Sequence, residues 1–113
     1  MSSITTHILD TAAGRPAAGV GVTLELQADH GWREVGRGVT DEDGRLRSLL
    51  PGDFAFAPGV YRLTFDVGAY FAGQARASFY PSVSISFVVR DAAEHYHVPL
   101  LLSPYGYSTY RGS

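Results

Sequence analysis

No cysteine occurs anywhere in the 113 residues, so disulfides, thiolate nucleophiles and cysteine-ligated zinc are excluded, and stability rests on packing. Lysine is absent as well. All nine basic residues are arginine, which removes Schiff-base chemistry and leaves planar guanidinium groups as the only permanent side-chain cations. They stand singly, and eleven acidic residues outnumber them for a net charge of −2, so no electrostatic footprint for DNA or RNA exists. No apolar run approaches the ~20 residues of a membrane helix. Met1 to Thr6 has neither the basic nor the apolar region of a signal peptide, which makes a cytoplasmic location the expectation. No Gly-Xaa-Ser-Xaa-Gly elbow, phosphate loop, dinucleotide fingerprint or His-Glu-Xaa-Xaa-His motif is found.

What is present is β-forming sequence cut into short lengths. Thirteen glycines and six prolines punctuate segments rich in Val, Ile, Leu, Thr, Tyr and Phe, the pattern of an all-β domain. Strands are expected over Ile4 to Asp10, Val20 to Gln27, Trp32 to Val39, Arg45 to Leu50, Val60 to Val67, Val83 to Val89, His97 to Leu102 and Tyr105 to Tyr110, with one short helical turn over Gly68 to Gly73. Alternation fixes faces: Val20, Val22, Leu24 and Leu26 share one, as do Tyr61, Leu63, Phe65 and Val67. Gly44, ending Asp41-Glu42-Asp43-Gly44, is placed for a positive φ. Pro99 lacks an N–H and must sit at a bulge or where no ladder bond is needed. Seven or eight such strands in one domain, residues 1–113, predict an antiparallel β-sandwich. A chain this short has a modest core, so partner subunits are expected to add stability.

The ionisable residues are few enough to weigh one by one. His7 lies mid-strand, sharing a face with Thr5 and Leu9; alone it is a structural histidine, and with partners a candidate acid or base. His95 and His97 are two apart and point the same way along a strand, open to a metal site, a metal-free acid/base pair or a structural pair. Neither a cysteine nor a local third histidine closes a metal set. Arg45 is either a solvated turn residue or a fork that grips a carbonyl-rich ring and balances oxyanion charge. Arg111 has the same two readings. Tyr110 is either a ring-binding hydroxyl or an edge aromatic. The tail is too dense in aromatics for a frayed end.

The segment His95-Tyr96-His97-Val98-Pro99-Leu100-Leu101-Leu102-Ser103-Pro104-Tyr105-Gly106-Tyr107-Ser108-Thr109-Tyr110-Arg111-Gly112-Ser113 closely resembles the C-terminal signature of the 5-hydroxyisourate hydrolases, transthyretin-like enzymes of purine breakdown. The likeness continues through Thr6-His7-Ile8-Leu9-Asp10, Gly14-Arg15-Pro16-Ala17 and Thr40 to Arg45, and so spans the chain in order. The resemblance implies a transthyretin-like (prealbumin-like) sandwich of two sheets, a homotetramer built as a dimer of dimers, and active sites where dimers meet. It also implies a small-molecule reaction: hydrolytic opening of the six-membered ring of 5-hydroxyisourate at a lactam C–N bond, giving 2-oxo-4-hydroxy-4-carboxy-5-ureidoimidazoline, without metal or cofactor. Carried over position by position, it makes His7, Arg45 and His97 catalytic and gives substrate binding to His7, Arg45, Tyr110, Arg111 and Ser113. His95 falls to a supporting role. Which of His7 and His97 is the base stays open, and activity is expected to fall below about pH 6.5 as imidazole protonates. Two other readings are a transthyretin-like carrier of small aromatic ligands in an intersubunit channel and a plain sandwich interaction module. A carrier wants apolar walls, whereas His7, Arg45, His97 and Tyr110 are polar.

Overall fold

The computed structural model describes residues 3–113. Nine strands and one helix follow in the order β1 (Ile4–Asp10), β2 (Arg15–Pro16), β3 (Gly21–Ala28), β4 (Gly31–Val39), β5 (Arg45–Leu46), β6 (Gly59–Phe65), α1 (Val67–Ala72), β7 (Val83–Val89), β8 (Tyr96–Ser103) and β9 (Gly106–Thr109). They form two sheets. One runs β4-β3-β6-β7; the other runs β2-β1-β8-β9, with β5 pairing the half of β1 that β2 leaves open. The core between them is made by the inward alternate residues, among them Val22 and Leu24 on β3, Leu63 and Phe65 on β6, and Ile4, Ile8, Leu100 and Leu102 on β1 and β8. At about 25 cal/mol per Å² of apolar surface removed from water, this is the main favourable term of the fold. Among the described residues no helix is long and apolar enough to cross a membrane.

Four details depart from the sequence expectation. All pairings are antiparallel except β1 with β8, which runs parallel over Ile4–Asp10 and Tyr96–Leu102. The chain leaves β7 at the edge of one sheet, crosses to the other, and enters it in the direction of β1. Val67 is not the end of a strand but the first residue of α1, because the carboxylate of Asp66 accepts from the N–H of Ala69 and starts the helix. Only Arg45 and Leu46 of the segment Arg45 to Leu50 pair with β1. The last strand is shorter than Tyr105 to Tyr110, and its ladder with β8 lapses after Leu100↔Thr109, then resumes as an isolated bridge His97↔Gly112. Pro99 sits in that gap, where no N–H is required, and its carbonyl accepts from the hydroxyl of Thr109 at 2.7 Å.

Candidate active site

The register of three strands places the chemistry. On β1 the inward residues Ile4, Thr6, Ile8 and Asp10 are buried, so Thr5 and His7 face outward. Arg45 of β5 stands opposite His7, His97 of β8 stands opposite Thr5, and Pro99 completes the row beside His7. A turn stitched to β1 delivers Arg45. The carboxylate of Asp41 accepts from the backbone N–H of Asp43 at 2.9 Å and of Arg45 at 3.0 Å, and Gly44 adopts φ +73°. Any side chain at 44 would put its Cβ 2.4 Å from the carbonyl oxygen of Ile8, which already accepts from Ala17, while the N–H of Ile8 reaches Gly44 at 2.8 Å. The N–H of Arg45 holds the Asp41 carboxyl below its ordinary range, against the opposing effect of desolvation, with further help from the N–H of Asp43 and the charges of Arg47 and Arg45.

Each histidine has a defined attachment. His7 Nε2 lies 2.9 Å from the carbonyl oxygen of Asp43, which can only accept, so Nε2 carries the hydrogen and neutral His7 has its lone pair on Nδ1. The hydroxyl of Thr5 lies 2.8 Å from His97 Nδ1 and 3.0 Å from His95 Nε2, joining two rings that stack with centroids 6.5 Å apart. His97 Nε2 makes no hydrogen bond to any described residue, and the ring lines a groove of about 700 Å³. Burial lowers the pKa of His97, and the charges of Arg45, His7 and His95 lower it further. The loss of its basic form is thereby displaced below the pH 6.5 expected from an unperturbed imidazole.

The groove brings together Arg45, His95, His97 and Ser113 of the sequence candidates, with Thr5 and Arg47 between them. Its other wall is the loop after β5, through Leu50, Phe54 and Phe56. That loop is tied down where Phe56 packs on Tyr61 and Tyr96, with centroids 5.6 and 6.3 Å apart, and where the Tyr61 hydroxyl donates to the carbonyl of Ala57. His7 flanks the groove through Arg45. Tyr110 is exposed and outside the groove of a single chain. Arg111 is turned away from it: its Nη2 donates to Glu94 at 3.0 Å and to the carbonyl of His95 at 3.1 Å, and its guanidinium lies over the Tyr96 ring. Thr5 and Arg47 escaped the sequence reading as site residues. Parity held the signal, since Thr5 is two before His7 and Arg47 two after Arg45. Among the described residues no cluster of three or more His, Asp or Glu is arranged to hold a metal ion.

Comparison with known proteins adds to this geometry. The family model described as HIUase/Transthyretin matches residues 4–112. A 5-hydroxyisourate hydrolase of Salmonella dublin is 50% identical over 110 residues, 97% of this chain and 80% of that protein. The solved structure of Klebsiella pneumoniae 5-hydroxyisourate hydrolase matches with a TM-score of 0.85 at 38% identity, covering 99% of this chain and 100% of that one. Sea bream transthyretin, solved in complex with thyroxine, matches with a TM-score of 0.90 at 32% identity, covering 97% and 94%.

Proposed function

The chain belongs to the HIUase/Transthyretin family, and on that premise we propose that it is a hydrolase of urate degradation, acting as a single transthyretin-like domain on 5-hydroxyisourate. The observation that carries the reading is His97, held through Nδ1, with Nε2 open to the groove that Arg45 also lines. His97 Nε2 takes a proton from water as the water oxygen attacks the lactam carbonyl. Arg45 donates to the oxygen on which negative charge develops. As the C–N bond breaks, the proton held by His97 passes to the departing nitrogen. The product is 2-oxo-4-hydroxy-4-carboxy-5-ureidoimidazoline. His7, fixed beside Arg45 by the Asp43 carbonyl, orients the substrate, and Ser113 closes the end of the groove. The reaction so written uses neither metal nor cofactor.

Tyr110 and Arg111 belong to the site when a neighbouring copy covers this face. Assembly as a homotetramer, a dimer of dimers with grooves at the dimer–dimer interface, is part of the same reading. The exposed aromatic rings of Phe79, Tyr105 and Tyr107 support it, being surface that a monomer gains nothing by leaving in water. The transthyretin match favours a carrier in fold alone. Arg45, Arg47, His95 and His97 give the groove a charged and hydrogen-bonding lining that suits a polar ring under attack better than an apolar ligand.

The test is an ultraviolet time course in which urate oxidase forms 5-hydroxyisourate from urate and the purified chain is then added. Accelerated loss of the intermediate, with circular dichroism showing one product enantiomer, is the expected result. Decay at the spontaneous rate would refute hydrolysis and bring the carrier forward.

A further inference from the structure

Resting on that reading, we propose that Thr5 is a positioning residue that couples His95 to His97, its single hydroxyl proton selecting the tautomer in which His97 Nε2 is the base. A threonine hydroxyl has one hydrogen to give and two lone pairs to receive. Thr5 is buried, with two ring nitrogens at 2.8 and 3.0 Å. When Thr5 donates to His95 Nε2, His97 donates from Nδ1, and its lone pair lies on Nε2 in the groove. When Thr5 instead donates to His97 Nδ1, the His97 hydrogen lies on Nε2, and the ring cannot accept a proton from water there. The guanidinium of Arg45 lines the same groove, and a neighbouring positive charge favours a lone pair over an N–H. The first arrangement is therefore the resting one. Donation by both rings at once would leave the hydroxyl hydrogen of a buried threonine to find another acceptor, which is costly.

The coupling has a pH consequence. A protonated His95 must donate from Nε2 to Thr5, which turns the Thr5 hydrogen onto His97 Nδ1. One proton on His95 thus disables the base without reaching it. The charged and titratable groups around the pair are Arg45 on β5, His7 on β1, Arg47 across the groove, and Glu94 with Arg111 beside His95. Arginine stays charged throughout, so the acid limb of activity reports the histidines. With Thr5 present, activity requires both His95 and His97 unprotonated, so the acid limb cannot lie below the position that His97 alone would set.

The experiment has two arms on the full chain. The first is 15N-histidine NMR of the substrate-free protein above pH 7, which reads the tautomer directly. His97 is expected with hydrogen on Nδ1 and a lone pair on Nε2; finding the hydrogen on Nε2 overturns the proposal whether or not any variant folds. The second compares wild type with Thr5→Val, which keeps the shape and removes the hydroxyl, and Thr5→Ser, which keeps the hydroxyl. Thr5→Val is expected to lower kcat about five- to tenfold with KM within about twofold, the scale of one hydrogen bond, and to move the acid limb to lower pH, where His97 alone sets it. Thr5→Ser is expected to restore both the rate and the position of the acid limb. Unchanged kcat and an unmoved acid limb in Thr5→Val would overturn the proposal. The NMR arm needs no turnover, so absence of hydrolysis in the wild type refutes the proposed function separately from the coupling.

Discussion

Strand β1 carries a polar cluster on each face, and they are built to opposite ends. Near the end of β1, Asp10 is fully buried among apolar residues and accepts from the Tyr70 hydroxyl at 2.8 Å, from Arg76 Nη1 at 2.7 Å and from the N–H of Ala13 at 3.0 Å. Burial alone would raise its pKa, but the bonds from Arg76, Ala13 and Tyr70 and the Arg76 charge outweigh it and lower the value to about 2. Nothing there is left to react. On the outer face His97 is only half-buried, and one of its two nitrogens has no hydrogen-bond partner among the described residues. Among the described residues no buried side-chain polar atom lacks a hydrogen bond, so the unpaired Nε2 lies where the groove reaches it. One cluster spends its bonding capacity on docking α1 and the following loop to β1; the other withholds one site for a substrate.

The sharpest way to break this contrast is to mutate both ends. His97→Asn is expected to lower kcat by roughly 10² to 10⁴, the usual range for losing a general base, with stability within about 1 kcal/mol of wild type. Asp10→Asn should do the reverse. It leaves Arg76 without its carboxylate, and because the Arg76 side chain is 26% exposed, water recovers part of the loss; a destabilisation near 3 kcal/mol is expected. Its kcat, measured on folded protein, should match wild type. Urea melts and turnover of both variants decide the matter, and equal loss of activity in the two would erase the distinction.

Acid separates the clusters next. For Asp10 the folded value of about 2 lies below the ordinary carboxylate value of 3.8, so its stabilisation is complete above about pH 4 and is lost as pH falls through 2. The full difference is on the order of 2 kcal/mol by linkage. For His97 the folded pKa is lowered, so protons bind the unfolded chain more readily and favour unfolding once pH drops below about 6.5. Activity should therefore fail while Asp10 is still ionised. Stability and kcat measured between pH 7 and 2 test the order, and a fold that collapses before activity declines would contradict it.

Most of the sheet architecture is written in alternation. β1 and β7 begin and end where the period-two reading puts them; on β7 one face, Val83, Ile85, Phe87 and Val89, is apolar throughout, whereas the inward face of β1 alternates Ile4 and Ile8 with the buried polar Thr6 and Asp10. The facing of His7 with Thr5, and of His95 with His97, follows from the same parity. What parity does not contain is which strands become neighbours. The parallel entry of β8 beside β1 is a property of the crossover, and it alone sets His97 opposite Thr5. The sequence therefore shows Thr5 only as a neighbour of His7 on one face, although its hydroxyl lies within hydrogen-bond reach of both His95 and His97. Arg111 shows the complementary limit: its place in the sequence does not say that within a single chain its guanidinium rests on Glu94 and the Tyr96 ring.

The smallest effect expected concerns how the open end is kept in shape without bonds of its own. Where Asp10 is fixed by three donors, the outer side of His97 is fixed by packing against the tail. Gly112 donates its N–H to the His97 carbonyl at 2.8 Å, and a Cβ at 112 would lie 2.6 Å from His97 Cδ2 and 3.3 Å from Pro99 Cγ. Contacts that close force the ring or the tail to move by several tenths of an ångström. The tail sits at the edge of the sheet and can lift, so Gly112→Ala should leave stability within about 0.5 kcal/mol. The displaced ring then meets its substrate off line, and kcat/KM should drop by roughly tenfold or less, since misplacements near 1 Å cost about a hundredfold. Thermal melts and progress curves of Gly112→Ala distinguish this from a bonded site: lost stability at unchanged kcat/KM would mean that the tail braces the fold and leaves His97 indifferent to it.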